Sequence, residues 1–198
     1  MSTFGKIYRV TTFGESHSQS VGVVIEGIPP RMELSISDIQ PQLTRRRPGQ
    51  SRINTDRNEK DIPIIQCGTE NGLTLGTPIC IIVKNKDTRP EDYVFNKQHY
   101  IYRPSHADYT YWSKYGIHAA SGGGRSSARE TVSRVIAGAI AEKWLKKTYN
   151  INIVAFVSSI GKIKFKYDHN YLNNITREDV DQTIVRCPDI TKANEMIK

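Results

Sequence analysis

The chain is poor in cysteine, in tryptophan and methionine, and in acidic residues, and it has no long apolar run. Its three cysteines, Cys67, Cys80 and Cys187, are odd in number and nowhere spaced as CxxC. That argues against a disulfide framework or a cysteine-built zinc site and for a reducing compartment with buried thiols. No apolar stretch approaches the roughly 18 residues a membrane span needs. The first residues have no basic region leading into an apolar one, so no secretory signal is read there. A cytoplasmic protein without a membrane partner is expected. The acid deficit has the widest consequence: 20 Asp and Glu face 28 Lys and Arg, for a net charge of +8. Such a balance implies an acidic partner: phosphorylated small molecules, nucleic acid or an anionic membrane surface, among which bulk charge does not choose. With 37% hydrophobic and 24% charged residues in 198 positions, the composition is that of a globular chain able to bury a core.

What is present centres on residues 122–130, Gly-Gly-Gly-Arg-Ser-Ser-Ala-Arg-Glu. A glycine run lets backbone approach a ligand closely, since no Cβ intervenes. Ser127 and Glu130 have capping-box spacing, so Ser127 is expected to start a helix. Val132, Val135, Ile136, Ala139 and Ile140 then recur at helical spacing, and the helix should run to about Lys147. Its N-terminus is a ready anion site, with Arg125 and Arg129 beside it. Two arginines there oppose the helix dipole and gain little unless an anion arrives.

Earlier in the chain, residues 6–10 and 21–25 read as strands. Between them, Gly14, Glu15, Ser16 and His17 crowd chemistry into a loop. Adjacent strand residues face opposite ways, so a Ser16–His17 nucleophilic pair is disfavoured. Ser37 with Gln40 is expected to open a short helix to Leu43, with Pro41 near its first turn. Residues 45–52, Arg-Arg-Arg-Pro-Gly-Gln-Ser-Arg, and then Arg57 carry five arginines offset only by Asp56 and Glu59. Arginine at each basic position favours bidentate binding of phosphate or carboxylate. Residues 62–67 and 79–83 read as buried strands joined through Gly68, Gly72 and Gly76. His106 stands between Arg103 and Asp108, ahead of an aromatic patch at Tyr109, Tyr111, Trp112 and Tyr115. His99, His118 and His169 have no such company. Further on, residues 151–157 and then 163–167 read as strands. Thr176 with Asp179 should open a helix to about Cys187, and residues 191–198 form one more helical pattern.

Taken together, residues 14–17, 45–52, 103–108 and 122–130 resemble chorismate synthase, in the family's order and spacing and with fungal-like features. Ser18 departs from the glycine or cysteine usual after the Gly-Glu-Ser-His motif, and Ser105 stands where bacterial members often carry glycine. The resemblance covers essentially all 198 residues but only the N-terminal portion of a longer single-domain protein. It implies an α+β fold, in part a β-α-β sandwich, assembling as a homotetramer. It implies conversion of 5-enolpyruvylshikimate 3-phosphate to chorismate by 1,4-elimination of phosphate, in the shikimate pathway of aromatic amino acid biosynthesis. The cofactor would be reduced FMN without net redox change, kept reduced by a flavin reductase or NADPH. Carried over by motif, His17 looks like the acid at the departing phosphate and His106 the group acting at the flavin. Ser16 looks like part of a proton relay. Arg46, Arg52 and Arg129 look like substrate clamps, while Arg103, Arg125, Ser126 and Ser127 look like flavin contacts. No metal is implied. The competing expectation is a nucleic-acid module using the arginine run and the tyrosines. A P-loop is set aside because its lysine is absent.

Overall fold

The computed structural model describes residues 2–55, 57–88, 102–117 and 123–198. Its centre is a five-stranded antiparallel sheet of β1 (Thr3–Phe4), β2 (Arg9–Gly14), β3 (Ser20–Glu26), β4 (Pro63–Cys67) and β7 (Ile79–Lys84), ordered β1-β2-β3-β7-β4. β5 (Thr69–Glu70) and β6 (Leu73–Thr74) form a small hairpin between β4 and β7. Two helices cover one face of the large sheet: α1 (Ile36–Arg46) and, after the short α2 (Asp108–Tyr115), the long α3 (Thr131–Tyr149). The result is an α+β arrangement.

Side chains alternate across a strand, and the sheet obeys that rule. Val10 lies opposite Ile25, Val23 opposite Ile81, and Val21 opposite Val83, with all six buried. They meet Ile39 and Leu43 of α1 and Val132, Ile136 and Ile140 of α3 in one core. Each such side chain contributes about 1.5–3 kcal/mol by leaving water.

Several boundaries differ from the sequence reading. The strand expected over residues 6–10 is β2, which runs from Arg9 to Gly14 because its pairing with β3 spans Arg9–Glu26 to Gly14–Val21. Thr11 to Gly14 are therefore strand, and the intervening loop shrinks to residues 15–19. In α1 the cap is Ser35, not Ser37, since Asp38 completes the capping box. Pro41 sits in that helix's interior; burial of Ile39 and Leu43 on either side outweighs the hydrogen bond it cannot donate. The thiols are not uniformly buried: Cys187 is, but Cys67 is exposed.

Beyond α3 the chain is loosely organised. Residues 151–157 form no strand; Ile151 and Ile153 are exposed, and the backbone has no ladder partner among the described residues. The 163–167 pattern yields only β9 (Ile163–Lys164), paired with β8 (Ser159–Ile160). α4 (His169–Asn174) begins at an exposed His169. α5 (Arg177–Asp181) has the expected Thr176–Asp179 capping box but stops well short of Cys187. There the Thr183 hydroxyl bonds the Cys187 carbonyl and Arg186 turns to a φ of 61°. α6 (Ile190–Ile197) places Ala193 and Met196 in a second cluster with Val185 and Cys187. No helix among the described residues is long and apolar enough to cross a membrane.

Candidate active site

The chemistry-bearing segments gather at one end of the large sheet. β2 ends there at Gly14, β3 starts at Ser20, β7 ends at Lys84 and β4 starts at Pro63. The hairpin loop of residues 15–19, the stretch after β7 and the approach to β4 are therefore neighbours, and the entry to α3 joins them. That entry is built as two 3-10 turns, Gly124–Ser126 and Ala128–Glu130, ahead of the α-helix itself. Ser127 caps the second turn, its hydroxyl accepting from the Arg129 N–H at 3.3 Å. Glu130 does not close a capping box. Its carboxylate accepts from the Thr12 hydroxyl at 2.7 Å and from Arg134 at 2.9 Å. Burial alone would raise that carboxyl, but the bonds from Arg134 and Thr12 hold it below the ordinary glutamate range.

Both arginines of the glycine-run segment point into the protein. Arg125 donates to the Gly14 carbonyl at 3.0 Å and to the Thr12 hydroxyl at 2.6 Å. Arg129 is 3% exposed and pairs with Asp61 at 2.5 Å, while its Nε donates to Asn85 Oδ1 at 2.8 Å. With Glu130 3.5 Å from Arg125 and Asp61 against Arg129, both charges are answered, so the argument that they gain little without an arriving anion does not hold. One corner of Arg129 differs: Nη2 is buried without a hydrogen-bond partner, 3.8 Å from Glu59. Ser16 is likewise 2% exposed with an unpartnered hydroxyl.

The acids that balance the arginine run lie mostly outside it. Arg45 makes a two-pronged contact with Asp181 at 2.8 and 2.9 Å. Arg46 reaches Asp61 at 3.3 Å and the Ala128 carbonyl at 3.0 Å. Its pKa falls below the ordinary arginine value, first through burial and then through the charge of Arg129, although Asp61 opposes the shift. Arg57 binds Glu59 at 2.9 Å and the Ser16 carbonyl at 2.9 Å. Glu59, 1% exposed, also accepts from the backbone N–H groups of Lys86 and Asp87. Arg52 is exposed and makes no ion pair among the described residues. Beside it, a cavity of about 440 Å³ separates Arg47 and Ser51 from Thr183 and Arg186. Arg47 Nε and Ser51 Oγ are buried there without partners.

The second histidine has a self-contained setting. Asp108 accepts from Arg103 at 2.7 and 2.9 Å, and His106 Nδ1 lies 2.7 Å from the same carboxylate. The Arg103 hydrogen bond draws the Asp108 carboxyl down to about 2, with burial opposing. Nδ1 faces both the carboxylate and, at 3.2 Å, Arg103 Nη2, so it donates to Asp108 in one tautomer and accepts from Arg103 in the other. Gly123 packs against this cluster. A Cβ on it would stand 3.2 Å from His106 Cε1 and 3.3 Å from Arg103 Nη2, so a side chain there would make these two give way by a few tenths of an ångström. The 123–126 turn thus touches the His106 cluster on one side and, through Arg125, the strand end that leads to His17. His17 is half-buried. His99 and His118 lie outside the described residues, as does Gly122.

Sequence reasoning did not single out Asp61 or Asn85; it counted Arg57 only within the arginine run and Glu59 only as a charge offset. The available signal was the pair Glu59 and Asp61 beside a dense arginine run, where acids that close are natural counter-charges.

Fold and site define an α+β protein with a basic, histidine-bearing centre at the end of an antiparallel sheet. The family model described as chorismate synthase matches residues 8–198. The chorismate synthase of Saccharomyces cerevisiae is 58% identical over 205 residues, covering 100% of this chain and 54% of the relative. That of Schizosaccharomyces pombe is 54% identical, covering 99% of this chain and 55% of the relative. A solved structure titled as the crystal structure of chorismate synthase superposes with a TM-score of 0.73 at 29% identity, covering 97% of this chain and 52% of that one. The chain belongs to the chorismate synthase family, and it spans about half the length of these relatives.

Proposed function

We propose that this chain supplies the N-terminal portion of a chorismate synthase centre, acting on 5-enolpyruvylshikimate 3-phosphate to release phosphate and form chorismate. The observation that carries the reading is the convergence at the 123–126 turn. The turn packs on His106 and Arg103 through Gly123, and Arg125 ties it to Gly14 at the start of the His17 loop. Imidazole suits proton transfer near neutral pH. His17 is the acid at the leaving phosphate, and Ser16, with its buried unpartnered hydroxyl, relays a proton at the flavin. Arg46, Arg52 and Arg129 receive the anionic groups of the substrate. Nη2 of Arg129, which makes no hydrogen bond and lies 3.8 Å from Glu59, offers a donor for one oxygen, while Asp61 holds the rest of the guanidinium still.

The residues near Gly123 fit an anionic flavin by the chemistry of their donor set. Arg103 is half-exposed, the Ser126 and Ser127 hydroxyls stand on the turn, and the missing Cβ permits close approach. Arg125 supports that turn from behind. Reduced FMN, when bound, supplies transient electron density without net redox change. Toward it, Asp108 and Arg103 fix the His106 ring through Nδ1, so that the imidazole protonates the reduced flavin or holds a proton on it. The homotetramer, the supply of reduced flavin by NADPH or a reductase, and the cytoplasmic location follow as parts of the same proposal. The nucleic-acid reading has little to carry it, because Arg45, Arg46 and Arg57 turn inward onto Asp181, Asp61 and Glu59.

Titrating the purified chain with reduced FMN, with and without 5-enolpyruvylshikimate 3-phosphate, tests the reading through flavin absorbance. Substrate-enhanced flavin binding that weakens in Arg103→Ala is expected. Oligonucleotide binding with a steep salt dependence and no flavin binding would overturn it.

A further inference from the structure

The loop that carries His17 is held by its backbone. Three of its carbonyls, and that of Gly14 just before it, accept bonds from distant side chains: Gly14 from Arg125, Ser16 from Arg57, and both Glu15 and Ser18 from Asn85. Asn85 is the one residue that holds two of them. Its amide nitrogen donates to Glu15 at 2.9 Å and to Ser18 at 2.7 Å, spending both of its N–H groups. Its amide oxygen accepts from Arg129 Nε at 2.8 Å. Its backbone N–H donates to Gln19 at 3.0 Å, which extends the β3–β7 ladder by one residue and fixes where the side chain starts. The amide can face only one way: reversed, its oxygen would meet two carbonyls and its NH₂ a guanidinium.

We propose that Asn85 is the positioning residue that sets the His17 loop against Arg129. A single rigid amide spans the two, so the donor that receives an anion and the imidazole that protonates it share one anchor. The proposal rests on the reading of His17 as the acid and concerns what places that group.

Asn85→Asp separates the two ends of the bridge. The aspartate has the same shape and still accepts from Arg129, but it offers no donor and sets oxygen against the Glu15 and Ser18 carbonyls. Asn85→Ala removes both ends. Amide hydrogen exchange and histidine-ring NMR on the 198-residue chain read the outcome without any turnover. In both variants, exchange at residues 15–19 should rise roughly tenfold or more, and the His17 ring resonances should move, while residues 21–25 and 79–83 keep wild-type protection. The Arg129 Nε–H signal should survive in Asn85→Asp and broaden in Asn85→Ala. Unchanged exchange and an unmoved His17 ring in Asn85→Asp would overturn the proposal. So would an equal rise across the sheet strands, which would make Asn85 a general stabiliser. The assignment of His17 as the acid stands or falls separately, on the rate of His17→Ala in a complete protein.

Discussion

The two histidine regions are built on opposite plans. His106 is set by neighbours within a few residues: Arg103 and Asp108 reach it from the same short segment, and the cluster is partly open to solvent. His17 has its loop set from afar. Arg57, Asn85 and Arg125 reach its loop across 41, 70 and 111 residues of sequence, backed by the buried acids Glu59 and Asp61. A local cluster is cheap to form and easy to perturb singly, because its members are already close in the unfolded chain. A long-range one exists only once the sheet and α3 are packed, so its members share the stability of the fold. The placement of the His17 loop should therefore be as robust as the core, and that of His106 as soft as an exposed pair.

The sharpest way to break that contrast is Asp61→Asn. Asparagine tolerates the positive φ of 51° at this position, so the backbone can stay while the charge goes. Arg129 is then left buried without its closest counter-charge, and stability should fall by about 3–5 kcal/mol in urea unfolding. A loss under 1 kcal/mol would mean that the buried cluster is not integral to the fold.

Next in size is the effect on chemistry. In a complete protein bearing this N-terminal portion, His17→Ala should lower turnover by roughly 10²–10⁴-fold with little effect on flavin binding. His106→Ala should instead alter the spectrum of bound reduced FMN as well as the rate. Single-turnover rates and reduced-flavin spectra distinguish the two, and identical defects would erase the division of labour.

A smaller loss is expected from Thr12→Val, which keeps the shape of a 1%-exposed side chain but removes the hydroxyl shared by Arg125 and Glu130. Unfolding should show a cost of about 1–3 kcal/mol, and a silent substitution would mean that water takes over the hydroxyl's role.

Asp108→Asn should barely touch stability, by about 0–1 kcal/mol, as Arg103 is half-exposed. Its pH dependence sharpens the point. The carboxyl is depressed to about 2 from 3.8, so its contribution is complete above the unfolded value near 4 and is lost as pH falls toward 2. NMR of His106 should therefore show no step from Asp108 between pH 5 and 7 and a loss of the Arg103–Asp108 contact only below about pH 4. A step from Asp108 near pH 5 would place that carboxyl in another environment.

Much of this was open to reading along the chain, because the signals concerned are short-range. Short β-branched and apolar runs marked β3 and β7, since a strand buried in a sheet must leave water. Val132, Ile136 and Ile140 marked α3 for the same reason at helical spacing. The 103–108 cluster was visible as three interacting side chains within a turn or two of one another. Residues 151–157 had an equally apolar pattern, yet a strand also needs a partner ladder, which no local pattern records. On sequence alone Arg125 and Arg129 stand beside a helix end, where unpaired charge invites an anion. The folded chain gave them Gly14, Thr12, Asp61 and Asn85 instead. Hydrogen bonding between groups 44 to 113 positions apart leaves no period in the sequence, because it depends on which strand ends the sheet brings together. The identity of the chemical groups was written in the order of residues; which acid answers which arginine, and hence what holds the His17 loop, came from packing.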